Sequence, residues 1–198
     1  MRLKDYMTGV VSAKNLSNKQ KAIFLDRDGT INVYKGFLRN IDDYEMLDGV
    51  AEAIKKINES GYLCIVVTNQ PVIARGEVTV EELDEIHKKL ETLLGLEGAY
   101  IDGLYYCPHH PHKGYEGEIP ELKIECDCRK PKPGMLLNAA KDYNIDLSKS
   151  WMVGDGENDV KAGIAAGCKT ALICVETEDE YGQDVTVKSV LEFMERWM

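Results

Sequence analysis

The chain has 198 residues, 44% hydrophobic and 29% charged, the range of one soluble globular domain that can bury its own core without disulfide staples. Its formal charge of −10 argues against a nucleic-acid partner, which would need Lys and Arg to neutralise phosphates, so any anionic ligand must be met by local cations. The longest apolar runs are a few residues, as in Cys64–Val67, and no signal-peptide pattern opens the chain; a cytoplasmic protein, off the membrane and monomeric, is expected.

Residues 1–20 are polar, aperiodic and rich in Lys, Asn and Ser, and read as a leader or linker before a domain over 21–198. Strands are expected at Ala22–Leu25, Leu63–Thr68, Ile101–Tyr106, Trp151–Gly154 and Ala171–Val175. Helices fall between and after them. Val50, Ala53, Ile54 and Ile57 share one face before Gly61, and Thr79 with Glu82 makes a capping-box pattern ahead of Leu83, Ile86 and Leu90. Pro133 and Gly134 introduce another through Leu136, Leu137 and Ala140, and Val187, Val190, Leu191 and Met194 mark a closing one. The alternation predicts an α/β fold, a Rossmann-like parallel sheet with helices on both faces. Two connections, Asp26 to Asp48 and Cys107 to Lys132, are too long for plain turns and follow strand ends, where open parallel sheets bind ligands.

The first of these loops opens with two carboxylates. In Ala22-Ile23-Phe24-Leu25-Asp26-Arg27-Asp28-Gly29-Thr30 they stand two residues apart, a spacing that in extended chain points both side chains the same way. Neither tolerates dehydration beside the other, so a hard cation that takes oxygen ligands, best Mg²⁺, is the expected companion. An isolated Asp-x-Asp-Gly is more often an Asp-rich turn. The whole string, however, resembles the first motif of the haloacid dehalogenase superfamily, and three further segments match its remaining motifs in order. These are Thr68-Asn69, Lys130 within Cys128–Gly134, and Gly154-Asp155-Gly156-Glu157-Asn158-Asp159.

That resemblance implies a Mg²⁺-dependent phosphatase. Asp26 would be the nucleophile that forms an aspartyl-phosphate, and Asp28 the acid and then the base. Thr68 and Lys130 would stabilise the transferring group, while Asp26, the Asp28 backbone carbonyl and Asp155 would hold Mg²⁺. Asp159 reads either as a partner behind the metal ligands or as a helix N-cap.

The second loop carries Cys107-Pro108-His109-His110 and Cys126-Asp127-Cys128, two short hooks of thiolate and imidazole around a stretch with little apolar content. Four such ligands suit tetrahedral Zn²⁺, which would give this stretch a shape without a core of its own. His109, His110 and His112 are all within reach of that role. Cys64 and Cys174 lie in apolar runs and read as core.

Taken together, Phe24–Asn32, Thr68-Asn69-Gln70, Ile73-Ala74-Arg75-Gly76, Tyr105–Pro111 and Cys126–Met135 closely resemble the D-glycero-D-manno-heptose 1,7-bisphosphate 7-phosphatase family, related to the histidinol-phosphatase domain. The likeness spans about Lys21 to Val175. It implies removal of the C7 phosphate of a small phosphorylated sugar, and no separate cap domain, the two long loops covering the site instead. It selects His109 as the zinc ligand with Cys107, Cys126 and Cys128. It also carries substrate contacts onto Tyr34, Lys35, Gly36 and Phe37, onto Thr68, Asn69, Gln70 and Pro71, and onto Arg129 and Lys130, the Arg129 guanidinium being suited to bidentate phosphate contact. Arg75 offers a further cation. Two departures stand out: Pro71-Val72 replaces Ser-Gly, and Gly156 replaces a substrate-binding lysine. The alternatives are a histidinol-phosphate phosphatase and a non-catalytic zinc-stabilised binding module. The stretch from Tyr6 to Lys19 resembles the linker to a sugar-phosphate nucleotidyltransferase in fused proteins, which implies such a domain upstream in a fused parent.

Overall fold

Apolar strands too short to stand alone are assembled, in the computed structural model, into one sheet ordered β1-β4-β3-β2-β5-β6-β7. The structure describes residues 7–8, 18–174 and 181–198. The strands are β1 Met7–Thr8, β2 Ala22–Leu25, β3 Leu63–Asn69, β4 Gly103–Cys107, β5 Trp151–Gly154, β6 Lys169–Ile173 and β7 Val185–Val187. Neighbours are parallel except β1, which lies antiparallel to β4. The helices are α1 Val50–Glu59, α2 Val80–Leu96, α3 Gly134–Tyr143, α4 Glu157–Ala166 and α5 Val190–Trp197.

The central strands are buried on both faces, as parallel strands are, and successive residues serve two different cores. Ile23, Leu25, Cys64, Val66, Leu104, Tyr106 and Val153 pack with the inward faces of α1, α2 and α5. Ala22, Phe24, Ile65, Val67, Tyr105 and Met152 pack with α3 and with Ala162 of α4. Each fully buried Ile, Leu or Phe contributes about 1.5–3 kcal/mol, enough in sum to fix register. Helices thus cover both faces, as the alternation predicted. The Thr79 capping box forms: Thr79 Oγ1 accepts from Glu82 N at 3.1 Å, and Glu82 reaches back to Thr79 N at 2.8 Å.

Several expectations need correction. The third expected strand starts later, at Gly103, because the Asp102 carboxylate accepts from Cys64 N at 2.9 Å where a carbonyl would otherwise pair. Val187 ends β7 and does not begin the last helix, which Ser189 caps by accepting from Glu192 N at 3.1 Å. The fifth strand is Lys169–Ile173; Val175 lies outside the described residues, as does most of the 1–20 segment. Order begins before Lys21: Met7 and Thr8 pair with Tyr105 and Leu104, and Gln20 N donates to Asn144 O at 2.9 Å.

The topology decides where a ligand can sit. From β2 the chain builds outward through β3 and β4, then returns and builds the other way through β5, β6 and β7. Strand order therefore reverses between β2 and β5, and the crevice beyond their carboxyl ends is the default binding place of such a sheet. Asp26 follows β2 directly, Asp155 follows β5 directly, and Asp26 N donates to Val153 O at 3.0 Å.

Candidate active site and thiol-imidazole cluster

A cleft opens at that crevice, walled by Asp26, Asp28, Thr68, Asn69, Lys130, Asp155, Gly156, Asn158 and Asp159, with Tyr34 and Phe37 from the loop after β2. Carboxylate atoms of Asp26, Asp155 and Asp159 all lie within 4.8 Å of one another. Two glycines permit this crowding. Gly29 has φ +85°, and a Cβ there would run into the Asp155 carboxylate; a Cβ on Gly154 would run into Asp159.

Lys130 comes from the second long loop and is buried against the cluster. Its Nζ donates to Asp26 Oδ1 at 2.8 Å, to Asp159 Oδ1 at 2.6 Å and to Val67 O at 2.7 Å. Asn69 holds the loop in place, accepting from Lys130 N at 3.1 Å and donating to Lys130 O at 3.0 Å. Burial pulls the ammonium toward neutrality, but Asp159 and Asp26 more than offset it, so its pKa is raised. One buried cation does not balance three carboxylates. Burial raises Asp26 to about 7, against the pull of Lys130 and with a further push from Asp159. Loss of water around Asp155, still open to the cleft mouth, raises it to about 6, with Asp159 adding to the effect. Lys130 and the Gly156 amide, at 3.1 Å, already engage Asp159, which leaves Asp26 and Asp155 to meet a further cation. An oxygen-lined, negatively charged site of this kind fits Mg²⁺.

Asp28 is held differently. Arg27 NH2 is 2.9 Å from both of its oxygens, Asn32 Nδ2 donates to Oδ1 at 3.0 Å and Gln70 Nε2 to Oδ2 at 2.9 Å. Gln70 also reaches Thr68 Oγ1 at 2.9 Å, tying the β2 and β3 ends together.

The structure brings Asp26, Asp28, Thr68, Asn69, Lys130, Asp155, Tyr34 and Phe37 to one cleft. Lys35, Gly36, Gln70, Pro71 and Arg129 stand outside that wall. Lys35 pairs with Glu45 at 2.6 Å, Gln70 and Pro71 are buried, and Arg129 NH1 donates to His109 O at 3.3 Å. The N-cap of α4 is Gly156, so Asp159 is not the cap; it reaches back from the third helical position. Arg27, His87, Asn32 and Asn158 were not singled out from the sequence. The signal for His87 was available, an imidazole on the apolar stripe formed by Leu83, Ile86, Leu90 and Leu94.

The second cluster joins Cys107, the last residue of β4, to the loop that follows it. Sulfur–sulfur separations among Cys107, Cys126 and Cys128 are 3.3–3.5 Å, and His109 Nδ1 is 3.3 Å from Cys128 Sγ and 3.7 Å from Cys107 Sγ. A regular tetrahedron with metal–sulfur bonds of ~2.3 Å has edges of ~3.8 Å, so the four atoms already approximate the shell of a zinc ion. His110 points elsewhere, to Arg75 at 3.3 Å and to the His112 carbonyl at 3.2 Å, so His109 is the histidine that joins the thiols. The thiol protons cannot be shared evenly: hydrogen bonds from the other two lower Cys126, while hydrogen bonding and burial raise Cys107. A dication would ionise all three together.

Among known families, the model of the haloacid dehalogenase-like hydrolases matches residues 31–167. The D-glycero-beta-D-manno-heptose-1,7-bisphosphate 7-phosphatase of Haemophilus ducreyi is 40% identical over 181 residues, 88% of this chain and 97% of that protein. The enzyme of the same name from Escherichia coli is 44% identical over 152 residues, 77% of this chain and 78% of its own. Among solved structures, D,D-heptose 1,7-bisphosphate phosphatase from B. bronchiseptica, complexed with magnesium and phosphate, superposes with a TM-score of 0.77 at 30% identity, covering 89% of this chain and 97% of the other.

Proposed function

The chain belongs to the haloacid dehalogenase-like hydrolases, and we propose that it is a Mg²⁺-dependent phosphatase removing the C7 phosphate of D-glycero-D-manno-heptose 1,7-bisphosphate. The observation that carries this reading is the meeting of Asp26, Asp155 and Lys130 at the β2–β5 switch point, in a chain 40% identical to an enzyme of that name along nearly its whole length. The β anomer is the one in the relatives' names.

In this reading an Asp26 carboxylate oxygen attacks phosphorus while the bond from phosphorus to O7 breaks, and the proton that O7 needs comes from Asp28. Asp28, now ionised, takes a proton from the water that hydrolyses the aspartyl-phosphate, which frees inorganic phosphate and restores both groups. Lys130 orients Asp26 and offsets charge on the transferring group, and Thr68 donates its hydroxyl to a phosphoryl oxygen. Mg²⁺ held by Asp26, the Asp28 carbonyl and Asp155 would screen the anionic nucleophile from the anionic ester. Tyr34 and Phe37 line the cleft from the loop side, where a sugar ring would meet them. Lys35, Gly36, Gln70, Pro71 and Arg129 complete the substrate environment from behind that wall, Arg129 with a guanidinium suited to a second phosphate. Zn²⁺ on Cys107, His109, Cys126 and Cys128 would fix the loop that delivers Arg129 and Lys130.

The same reading takes 21–198 as the catalytic domain, a monomer in the cytoplasm, with 1–20 as a leader and a nucleotidyltransferase upstream in a fused parent. No helix among the described residues is long and apolar enough to cross a membrane.

The test is a comparison of kcat/KM for both anomers of heptose 1,7-bisphosphate with histidinol phosphate and fructose 1,6-bisphosphate. A heptose bisphosphate preferred at least about tenfold, with Mg²⁺ required, is expected; histidinol phosphate on top would move the assignment to that relative.

A further inference from the structure

Arg27 stands between the two aspartates of the site, yet its side chain is fully buried. A buried guanidinium is tolerated only when its donors are met. Three of its contacts go to Asp28, from Nε at 3.2 Å and from NH2 at 2.9 Å to each oxygen. The fourth runs the other way, from NH1 to His87 Nε2 at 3.1 Å, on the helix α2.

His87 is an odd choice for its place. The other buried residues of α2 are Leu83, Ile86, Leu90 and Leu94. Arginine only donates, so Nε2 must accept, and the ring's proton sits on Nδ1. Burial and the Arg27 charge both hold the ring neutral, in keeping with that tautomer. Nδ1 is buried with no hydrogen-bond partner among the described residues. An unmet buried donor costs ~1–3 kcal/mol, which a leucine at this position would avoid. What leucine would not supply is the acceptor that stops Arg27 from turning away from Asp28. Tyr106, whose ring lies 5.6 Å from the imidazole at 50°, braces His87 from the sheet side.

We infer that His87 is a positioning residue for the reaction: it fixes the Arg27 guanidinium, which in turn holds the Asp28 carboxyl at the wall of the cleft. This rests on the reading of Asp28 as the group that protonates the leaving oxygen. The remaining holders, Asn32 and Gln70, come from the loop after β2 and the end of β3, so His87 brings the control of Asp28 into α2.

The experiment compares leaving groups. The sugar phosphate departs as an alkoxide and needs a proton, whereas p-nitrophenyl phosphate departs as a stable phenolate and does not. In both cases kcat/KM reports the steps through displacement by Asp26. For His87→Leu, kcat/KM on heptose 1,7-bisphosphate should fall about 10- to 100-fold while that on p-nitrophenyl phosphate stays within about threefold. His87→Gln, which restores an acceptor, should return the sugar value to within about threefold of the original. Asp28→Asn is the reference and should discriminate between the two substrates in the same sense. Should His87→Leu not fold, Arg27→Lys, which keeps the charge and loses the planar fork, carries the same expectation. Equal losses on both substrates, no loss on either, or a His87→Gln as impaired as His87→Leu would overturn the inference. If Asp28→Asn itself fails to discriminate, the reading of Asp28 goes and this inference with it. If Asp28→Asn discriminates and His87→Leu does not, only the inference goes.

Discussion

The cleft at the β2–β5 switch point and the thiol cluster in the loop after β4 both gather more negative charge than they can hold unaided, but they hold it in different ways. Asp26 and Asp155 are fixed by strand ends that a core packs from both sides, and Lys130 already answers part of the charge from within the protein. Cys107, His109, Cys126 and Cys128 span a loop whose middle, apart from the short turn Pro120–Leu122, has no regular element among its described residues, and among those residues the Arg129 backbone N–H, but no lysine or arginine side chain, meets their sulfurs. Removing an ion should therefore cost the first site its function and the second its shape. Hard oxygen donors at strand ends and soft donors along a loop mark that division.

The carboxylate cleft should suffer the heaviest loss. Asp26→Asn keeps the volume and removes the nucleophile, so phosphate release should fall at least ~10³-fold, with circular dichroism unchanged. An unaltered rate would remove the mechanism outright. On the other side, Cys128→Ser takes away one of the four ligands. Protein purified without chelator should carry one zinc per chain, and the variant much less, as measured by atomic emission. Loss of several kcal/mol of metal-linked folding energy should lower Tm by ~10 °C. Zinc-free wild-type protein with an unchanged Tm would erase the distinction between the two sites.

Much of the architecture was legible because it is written locally. The strand β2, the capping box at Thr79 and the metal-type hooks each occupy a few consecutive residues whose chemistry has few uses. The edge strands β1 and β7 were not legible, being only 2 and 3 residues long, too short to show a period. The cleft divides in the same way. Asp26, Asp28, Lys130 and Asp155 announced themselves in strings, but the bond from Lys130 to Asp159 joins a loop to the first turn of α4 and depends on the glycine at 154. Arg27 was in plain view between two aspartates, and nothing local says that an arginine is buried, since its default is the surface. Buried, it meets His87 of α2, a contact between segments 60 residues apart that no local string announces.

The two sites should also part company with pH. The Asp26 and Asp155 carboxyls are raised to about 7 and about 6 by burial, above the ~3.9 of an unfolded aspartate. Without metal, the folded state therefore keeps protons that the unfolded state has released, so stability declines as pH rises from ~4 through ~7. Mg²⁺ selects the ionised carboxylates. The rise in Tm caused by one fixed Mg²⁺ concentration, chosen to saturate the site at pH 8, should be near zero at pH 5 and amount to a few degrees at pH 8, read by calorimetry. An increment independent of pH would mean that the ion does not bind at these carboxylates.

The smallest effect is the control that both sites need. Thr79→Ala removes the hydroxyl that accepts from Glu82 N, loosening the start of α2 without touching a ligand of either cluster. Loss of such a cap costs about 1 kcal/mol, or ~2–4 °C of Tm in a domain of this size. Zinc content should stay at one per chain, because the thiol loop hangs from β4 and α3 and not from α2. The balance between sugar and aryl phosphate substrates should stay fixed as well, because His87 lies two turns beyond the cap, within the part of α2 that the core holds. If this mild loosening shifted that balance, His87 would be acting through the general stability of α2, and the bond to Arg27 would lose its special standing.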